Sequence, residues 1–298
     1  GLAISQALRM TGTLQWGVRI WAEMENCMTS VERVLEYTEV RQESTQGQDL
    51  DNWPKEGEVK YQNVYLSYNE SDEYVLKNIS FTAHPQEKIG IVGRTGAGKS
   101  SIISTLFRLY EVDGRIAIDG VDTKLVSLDC LRKHISIIPQ DPVLFTGTIR
   151  DNIDPEGQYT DDVIWNAIDS AYLKKLIPSL DYEITESGSS FSVGQRQLIC
   201  LARAIVRNNK IIVLDEATAN MDPETDELIH QTIHKCFKAC TVFTIAHKLH
   251  SIINCDKIIV MDKGEIIECD DPNSLLQNKD GHFYKMAKKA GITTQNAA

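Results

Sequence analysis

Gly93-Arg94-Thr95-Gly96-Ala97-Gly98-Lys99-Ser100 is a glycine-rich stretch between two segments with regular patterns. Before it, Lys88 to Val92 is a short apolar run typical of a strand. After it, Ser101 to Tyr110 has helical spacing, with Ile102, Leu106 and Leu109 on one face. The stretch matches G-x-x-x-x-G-K-[ST] in the strand–loop–helix context that this pattern requires. Its four fixed positions match by chance in roughly one chain in a hundred of this length. The alternative is a glycine-rich turn ahead of a helix.

This loop has the composition of a phosphate-binding site. Its glycines let backbone N–H groups surround a phosphate, and the N-terminus of the following helix adds partial positive charge. We expect Lys99 to reach the β- and γ-phosphates of a nucleotide and the Ser100 hydroxyl to ligate Mg²⁺.

Two acids end a second apolar strand, Lys210 to Leu214. Four branched apolar residues in a row indicate a parallel strand covered on both faces, and ligands bind at the carboxyl ends of such strands. We therefore expect Asp215 to hold Mg²⁺ and Glu216 to act as the general base for an attacking water. The alternative is two solvated acids at a strand end.

Composition limits the class of protein. The 298 residues carry 31 Lys and Arg against 42 Asp and Glu, a formal net charge of −11, and 42% are hydrophobic. These values exclude a disordered chain, a collagen-like fibre and a bundle of membrane spans. The acidic balance argues against a nucleic-acid partner. The seven cysteines are odd in number, scattered and without a C-x-x-C pair, so we expect small buried hydrophobes rather than a zinc or disulfide framework.

Phe191-Ser192-Val193-Gly194-Gln195-Arg196-Gln197 precedes a helical run shortly before Asp215. With the phosphate loop and the two acids, this segment resembles the signature of an ABC transporter nucleotide-binding domain. The resemblance implies that Ser192, Gly194 and Gln195 bind the phosphates of a partner domain's ATP. Ser192 is also a good N-cap and Gly194 permits close approach of the backbone to an anion. The alternative is a capped helix alone.

The resemblance implies further site residues. Gln140 matches the Q-loop, which senses Mg²⁺ and contacts the membrane domain, and 219–222 matches the D-loop, which contacts the partner domain. His247 matches the switch histidine at the γ-phosphate, and Tyr68 matches the aromatic residue that stacks on adenine, with Tyr74 and Tyr65 as rivals. The implied catalytic set is Lys99, Gln140, Glu216 and His247, and the implied metal ligands are Ser100, Gln140 and Asp215. The implied nucleotide contacts are Tyr68, Gly93, Arg94, Thr95, Gly96, Ala97, Gly98, Lys99, Ser100 and Ser101. The alternative interpretation is a purely structural role, which each of these residues would allow if it were considered alone: Gln140, 219–222, His247 and Tyr68.

The chain looks most similar to the second, C-terminal nucleotide-binding domain of the multidrug-resistance-associated (C) subfamily, in the branch with two six-helix membrane domains. The stretches that carry this resemblance are 91–101, 142–148, 186–188 and 191–195. Val193 replaces a glycine found in many ABC signatures, as in this subfamily's second domain, whose signature serves the weaker of two unequal ATP sites.

The implied fold is α/β: a P-loop NTPase, ABC-type ATPase domain with a RecA-like core, an antiparallel β part and a helical signature subdomain, preceded by an N-terminal helix. We expect the domain over 58–290, with its helical subdomain at about 148–207, β strands within 58–83, a hairpin near 114–120 and a turn at 262–265. Residues 41–57 are predicted as a linker, because they are polar with Gly and Pro, and 291–298 as a tail.

Residues 1–40 have a helical pattern, but Arg9 and Arg19 interrupt the apolar part within 1–22. Composition leaves two alternatives open, a helix packed on a soluble core and the end of a cut membrane helix. The resemblance of 14–16 and 30–33 to the family's last membrane helix and its cytosolic extension favours the second.

The resemblance implies an ATPase that uses ATP and Mg²⁺ to drive export of organic anions or drugs. Its implied partners are the first nucleotide-binding domain and the membrane domains of the same transporter, or a second copy in isolation. The parent would be integral to a membrane, expected to be the plasma membrane, with this domain on the cytosolic face. The alternatives are a nucleotide-gated regulator of a channel-like ABC protein and a soluble ABC ATPase. A GTPase is disfavoured because the chain lacks an Asn/Thr-Lys-x-Asp motif.

Overall fold

A computed structural model describes residues 1–40, 42–44, 46–69, 73–184, 191–215, 223–246 and 249–291, with backbone alone at 223 and 224. The chain forms two compact units, Gly1–Thr45 and Gln46–Ala298.

The first unit contains one helix, α1 (Leu2–Glu39), whose 38 residues are exposed throughout. This helix covers both halves of the predicted helical region. Among the helices that the structure describes, none has a stretch both long and apolar enough to cross a membrane.

Twelve strands and eight α-helices follow in the described part of the second unit. The strands are β1 (Val59–Leu66), β2 (Leu76–Ala83), β3 (Lys88–Gly93), β4 (Asp113–Ile118), β5 (Val121–Asp122), β6 (Ile135–Ile138), β7 (Gly147–Thr148), β8 (Glu183–Ile184), β9 (Ile211–Asp215), β10 (Thr241–Ile245), β11 (Lys257–Asp262) and β12 (Glu265–Asp270). The helices are α2 (Lys99–Leu106), α3 (Leu128–Lys133), α4 (Ile149–Ile153), α5 (Asp161–Ser170), α6 (Val193–Arg207), α7 (Pro223–Cys236), α8 (Pro272–Gln277) and α9 (His282–Lys289).

The central sheet has six strands in the order β12-β11-β3-β10-β9-β6. All neighbours are parallel except β11 and β12, which form an antiparallel hairpin. Side chains alternate between its faces: Ile211 and Val213 of β9 join one buried cluster, and Ile212 and Leu214 join another. Burial on both faces explains the uninterrupted apolar run at 211–214.

A second sheet, β2-β1-β4-β5, is antiparallel and confirms the predicted β part and the hairpin near 114–120. Its apolar residues share a buried cluster with α2 and the central sheet, as Leu76, Ile79 and Ile102 show. The predicted helical region contains α4, α5 and α6, which pack with Ile138 and Leu214 in the other cluster.

The polar segment 46–57 lies in the larger unit, although the sequence predicts a linker over 41–57. Trp53 is buried, and its Nε1 donates to the Ile118 carbonyl at 3.1 Å. The Asp119 carboxylate accepts the backbone N–H groups of residues 55–58 at 2.7–3.0 Å. These long-range bonds fix a segment whose composition alone resembles a linker.

Helix α2 is shorter than the predicted span of 101–110. It ends at Leu106, and Arg108 adopts a left-handed conformation with φ of 48°. Its guanidinium donates to the carbonyls of Thr123 and Val126 at 2.6 and 2.7 Å. Leu109, predicted to lie on the apolar face, is consequently exposed.

All seven cysteines lie in the described part of the chain as free thiols. Cys130, Cys200 and Cys240 are buried, as expected, and Cys236 and Cys255 are half-buried. Cys27 and Cys269 are exposed, which corrects the expectation of buried thiols at these two positions.

Candidate nucleotide-binding site

The predicted phosphate loop and Asp215 lie at the same edge of the central sheet. Strand β10 separates β3 from β9, and its Ile245 pairs with Ile91 on one side and Asp215 on the other. At the outer strand β6, Ile138 pairs with Leu214, so Gln140 follows two residues beyond that edge and is exposed. The topology thus brings together three segments that are far apart in sequence.

Glycine is required where the loop leaves β3 and where α2 begins. A Cβ on Gly93 would lie 2.4 Å from the carbonyl oxygen of Met261 in β11. Gly98, the N-cap of α2, has φ of 99°, and a Cβ there would lie 2.8 Å from Leu76 Cδ2. The close approach of the Met261 backbone therefore requires glycine at 93, and the positive φ favours glycine at 98.

Lys99 is buried in the first turn of α2, with 6% of its surface exposed. Its Nζ donates to the carbonyls of Gly93 at 3.0 Å and Arg94 at 3.3 Å. The ammonium is therefore held against the loop where the phosphates are expected. The adjacent Ser100 is exposed, whereas Ser101 is buried.

The turn at 262–265, which is not predicted as part of the site, is hydrogen-bonded to the phosphate loop. The N–H of Gly264 donates to the Ala97 carbonyl at 3.1 Å, and the Gly264 carbonyl accepts the N–H of Lys77 at 2.8 Å. The predicted turn at 262–265 thus links the loop to β2. The Asp-Lys-Gly sequence signals a turn but carries no information about its contact partner.

Of the three candidate tyrosines, Tyr68 contacts the start of α2. Its hydroxyl lies 2.8 Å from Ser101 Oγ, and its ring packs edge-to-face with Tyr110 at 4.7 Å between centroids. Tyr65 and Tyr74 instead pack together at 5.3 Å, and the Tyr74 hydroxyl donates to Asp113 at 3.1 Å. That bond to a carboxylate raises the pKa of Tyr74 above its ordinary range.

The signature segment begins α6 with a reciprocal cap. Ser192 Oγ accepts the N–H of Gln195 at 3.2 Å, and Gln195 Oε1 accepts the N–H of Ser192 at 2.9 Å. This S-x-x-Q capping box satisfies two N–H groups that a helix end leaves free. A Cβ on Gly194 would lie 2.6 Å from Thr225 Cγ2 in α7. These three candidate phosphate ligands therefore also have structural contacts.

Helix α6 also holds the segment around Gln140. The buried Gln197 donates through Nε2 to the Pro139 carbonyl at 2.8 Å. Arg203 donates to the Val143 carbonyl and to Asn152 Oδ1, each at 2.8 Å. Burial lowers the pKa of the Arg203 guanidinium from its ordinary value. Neither Gln197 nor Arg203 is predicted as a site residue from the sequence, because both bond to residues more than fifty positions away.

Several predicted residues lie outside the described part of the chain: Glu216, His247, the 219–222 segment and the 186–188 stretch. Asp215, at the end of β9, is the last described residue before Glu216 and the 219–222 segment. Ala246, just after β10, is the last before His247, and Ile184 in β8 is the last before 186–188.

Comparison with known proteins agrees with this arrangement. Residues 76–219 match the model of the ABC transporter family. The chain is 53% identical over 298 residues to human ATP-binding cassette sub-family C member 4, covering 98% of this chain and 22% of that protein. It is 48% identical over 303 residues to a probable multidrug resistance-associated protein of Drosophila melanogaster, covering 98% of this chain and 22% of that one. The structure of a bacterial Atm1-family ABC exporter with ATP bound superposes with a TM-score of 0.77 at 30% identity, covering 90% of this chain and 48% of the exporter chain.

The chain thus spans about a fifth of the length of the curated relatives it matches. Its strand–loop–helix phosphate loop, its central sheet order and the family match over 76–219 give one consistent assignment. The chain therefore has the α/β fold of an ABC-type P-loop NTPase domain, and it is similar to ABC transporters that include multidrug-resistance-associated proteins.

Proposed function

We propose that this chain binds ATP with Mg²⁺ and hydrolyses it to ADP and phosphate. The observation that carries the proposal is the placement of Lys99. Its buried ammonium lies 3.0 Å from the Gly93 carbonyl, at the end of β3. Asp215 ends β9 at the same edge of the sheet, and β10 lies between these two strands. A lysine cradled by a glycine-rich loop suits a triphosphate, because cation and N–H groups converge on the same oxygens.

The loop from Gly93 to Ser101 would bind the phosphates through backbone N–H groups, with Lys99 reaching the β- and γ-phosphates. Tyr68 would stack on adenine, since its ring adjoins α2 and is 42% exposed. Tyr74 suits this role less well, because its hydroxyl and ring contacts are with Asp113 and Tyr65.

The hydroxyl of Ser100, the amide oxygen of Gln140 and the carboxylate of Asp215 would hold Mg²⁺. Hydroxyl, amide and carboxylate oxygens form the donor set that this hard cation prefers, and the register of β3, β9 and β6 brings their segments to one edge. Bound there, Mg²⁺ would offset charge on the β- and γ-phosphates.

Glu216 would accept a proton from the attacking water, and His247 would orient the γ-phosphate. Glu216 directly follows Asp215 at the carboxyl edge of β9, and His247 comes two residues after the end of β10, the strand next to β3. Position in the chain supports both roles.

Ser192, Gly194 and Gln195 would act on ATP held by a partner domain. The N-terminus of α6 offers N–H groups and partial positive charge to an anion. The partner would be the first nucleotide-binding domain of the same transporter, with this chain as the second, or a second copy of this chain in isolation.

The parent protein would be a membrane-integral exporter with this domain on its cytosolic side, and we expect the plasma membrane. Closing and opening of the paired domains would drive export of organic anions or drugs through the membrane domains. The similarity to sub-family C proteins supports this proposal. We propose that α1 includes the end of the last membrane helix and its cytosolic extension.

The test is the ATPase rate per molecule of the 298-residue chain as a function of its concentration. We expect Lys99→Ala to weaken ATP binding and Glu216→Gln to keep binding but lose turnover. Lys60→Ala and Glu183→Gln, which alter exposed residues on β1 and β8, are the matched controls. Equal loss of binding in both site variants would contradict the assigned roles.

A rate per molecule that rises with concentration would indicate that two copies of the chain pair. Each copy would then supply its signature segment to the ATP held by the other. Tight ATP binding with a flat, near-zero rate would indicate that the first nucleotide-binding domain completes the site, or that the domain is a nucleotide-gated regulator. Stronger competition by GTP than by unlabelled ATP would contradict the nucleotide assignment.

A further inference from the structure

Gln197 connects the signature helix to the segment that carries Gln140. It lies in α6, five positions after the capping Ser192, and its side chain is fully buried. Its Nε2 donates to the carbonyl of Pro139 at 2.8 Å. Because the Pro139 carbonyl and the Gln140 N–H belong to one planar peptide, fixing that oxygen also fixes the orientation of the Gln140 backbone.

Protein stability alone does not explain a glutamine at this position. In the described part of the chain its other polar atom, Oε1, is buried and has no hydrogen-bond partner. Leaving a buried acceptor unpaired offsets most or all of what a single hydrogen bond contributes. The neighbouring buried residues of α6, Leu198, Ile199 and Leu201, are apolar. An apolar side chain of the same length would remove this unpaired oxygen, but it would also remove the donor to the Pro139 carbonyl.

The segment after Gln140 is tied to the same helix. Arg203 donates through Nη1 to the Val143 carbonyl at 2.8 Å, and its guanidinium lies 5.8 Å from the centre of the Phe145 ring. Residues 140–142 therefore lie between two anchors, Gln197 and Arg203, on one helix. Both ends of this segment are therefore hydrogen-bonded to α6.

We propose that Gln197 is a positioning residue that sets Gln140 relative to α6 and so couples Mg²⁺-dependent ATP binding to the position of the signature helix. The coupling runs through the Pro139–Gln140 peptide and needs no contact between Gln197 and the nucleotide. This inference rests on the proposed function, in which Gln140 is a ligand of Mg²⁺.

The test measures ATP affinity of the 298-residue chain with Mg²⁺ and with EDTA, and takes the ratio of the two dissociation constants. Gln197→Met keeps side-chain length but cannot donate to Pro139. We expect it to reduce the Mg²⁺-dependent gain in affinity by about three- to tenfold, the effect of one lost hydrogen bond. The affinity in EDTA should stay within about twofold of the parent chain, because the loop and Lys99 are unchanged.

A double-mutant cycle separates positioning from a general packing effect. Gln140→Ala should reduce the ratio, and Gln140→Ala/Gln197→Met should reduce it no further, because both changes act on the same ligand. Thr232→Val is the matched control: Thr232 is also buried, but its hydroxyl bonds to Leu228 within its own helix. Its ratio should equal that of the parent. Gln197→Leu repeats the test if the Met variant does not fold by circular dichroism.

A parent-like ratio in the folded Gln197 variant would overturn the inference, as would additive effects in the cycle or a Gln140→Ala chain with the parent ratio. Failure of the proposed function looks different. In that case the parent chain does not bind ATP, or Lys99→Ala binds it as tightly as the parent.

Discussion

Gly194→Ala offers a test of why the signature contains a glycine. In the structure a Cβ at this position would lie 2.6 Å from Thr225 Cγ2 and 3.3 Å from its Cβ and Oγ1. The first distance is about 1 Å shorter than an ordinary carbon–carbon contact. The added methyl group must rotate the Thr225 side chain or displace α6 or α7, both of which pack on the central sheet.

The magnitude follows from two opposing effects. Overpacking by one carbon destabilises a well-packed core by about 1–3 kcal/mol. Alanine favours a helix over glycine by up to about 1 kcal/mol, less at the second residue of α6 than in its interior. We therefore expect the free energy of unfolding to fall by about 1–2 kcal/mol.

Urea unfolding monitored by tryptophan fluorescence measures this change. With a slope of about 3 kcal/mol per molar urea, the midpoint should fall by about 0.3–0.7 M. Thr225→Ser removes Cγ2 and keeps the hydroxyl, so Gly194→Ala/Thr225→Ser should recover most of the loss. An unchanged or higher midpoint in Gly194→Ala, or no recovery in the double variant, would refute the packing argument.

Three other outcomes can be checked on the same chain. Tyr68→Phe, which removes the hydroxyl bonded to Ser101, should weaken ATP binding about two- to fivefold in a fluorescence titration, and Tyr74→Phe should not; equal effects would contradict the placement of Tyr68. In an alkylation experiment at pH 8, followed by mass spectrometry, the exposed Cys27 should react well before Cys255. Burial and the neighbouring Asp256 raise the pKa of Cys255 to about 12, so about one Cys255 thiol in ten thousand is ionised at that pH. Hydrogen bonds from Thr148, the N-cap of α4, lower the pKa of Asp151. The parent chain should therefore be more stable to urea than Asp151→Asn near pH 7, and this difference should disappear as pH falls below about 4. A difference in urea midpoint that grows in acid would contradict this expectation.

Local sequence patterns predicted the elements that depend on nearby residues. The strand at 88–93, the loop that follows it and the apolar strand at 211–215 were identified because period, glycine spacing and burial on both faces are visible within about ten residues. The turn at 262–265 was found for the same reason.

Contacts between distant segments could not be predicted in this way. Asp119 closes the 55–58 segment, and Arg108 ends α2 by bonding Thr123 and Val126. Gly264 supports the phosphate loop through Ala97. In each case the residue type is compatible with several local structures, and only its tertiary partner selects one.

The signature segment shows why a motif does not by itself assign a role to each of its residues. Ser192 and Gln195 cap α6 reciprocally, and Gly194 is packed against Thr225, so all three would be needed by a helix that binds no nucleotide. A simple loss of activity in their variants therefore cannot distinguish a phosphate contact from a damaged helix. The Gly194→Ala/Thr225→Ser chain does distinguish them. If its stability returns while turnover stays low, the glycine also serves the approach of an anion, and if both return, packing is the whole of its role.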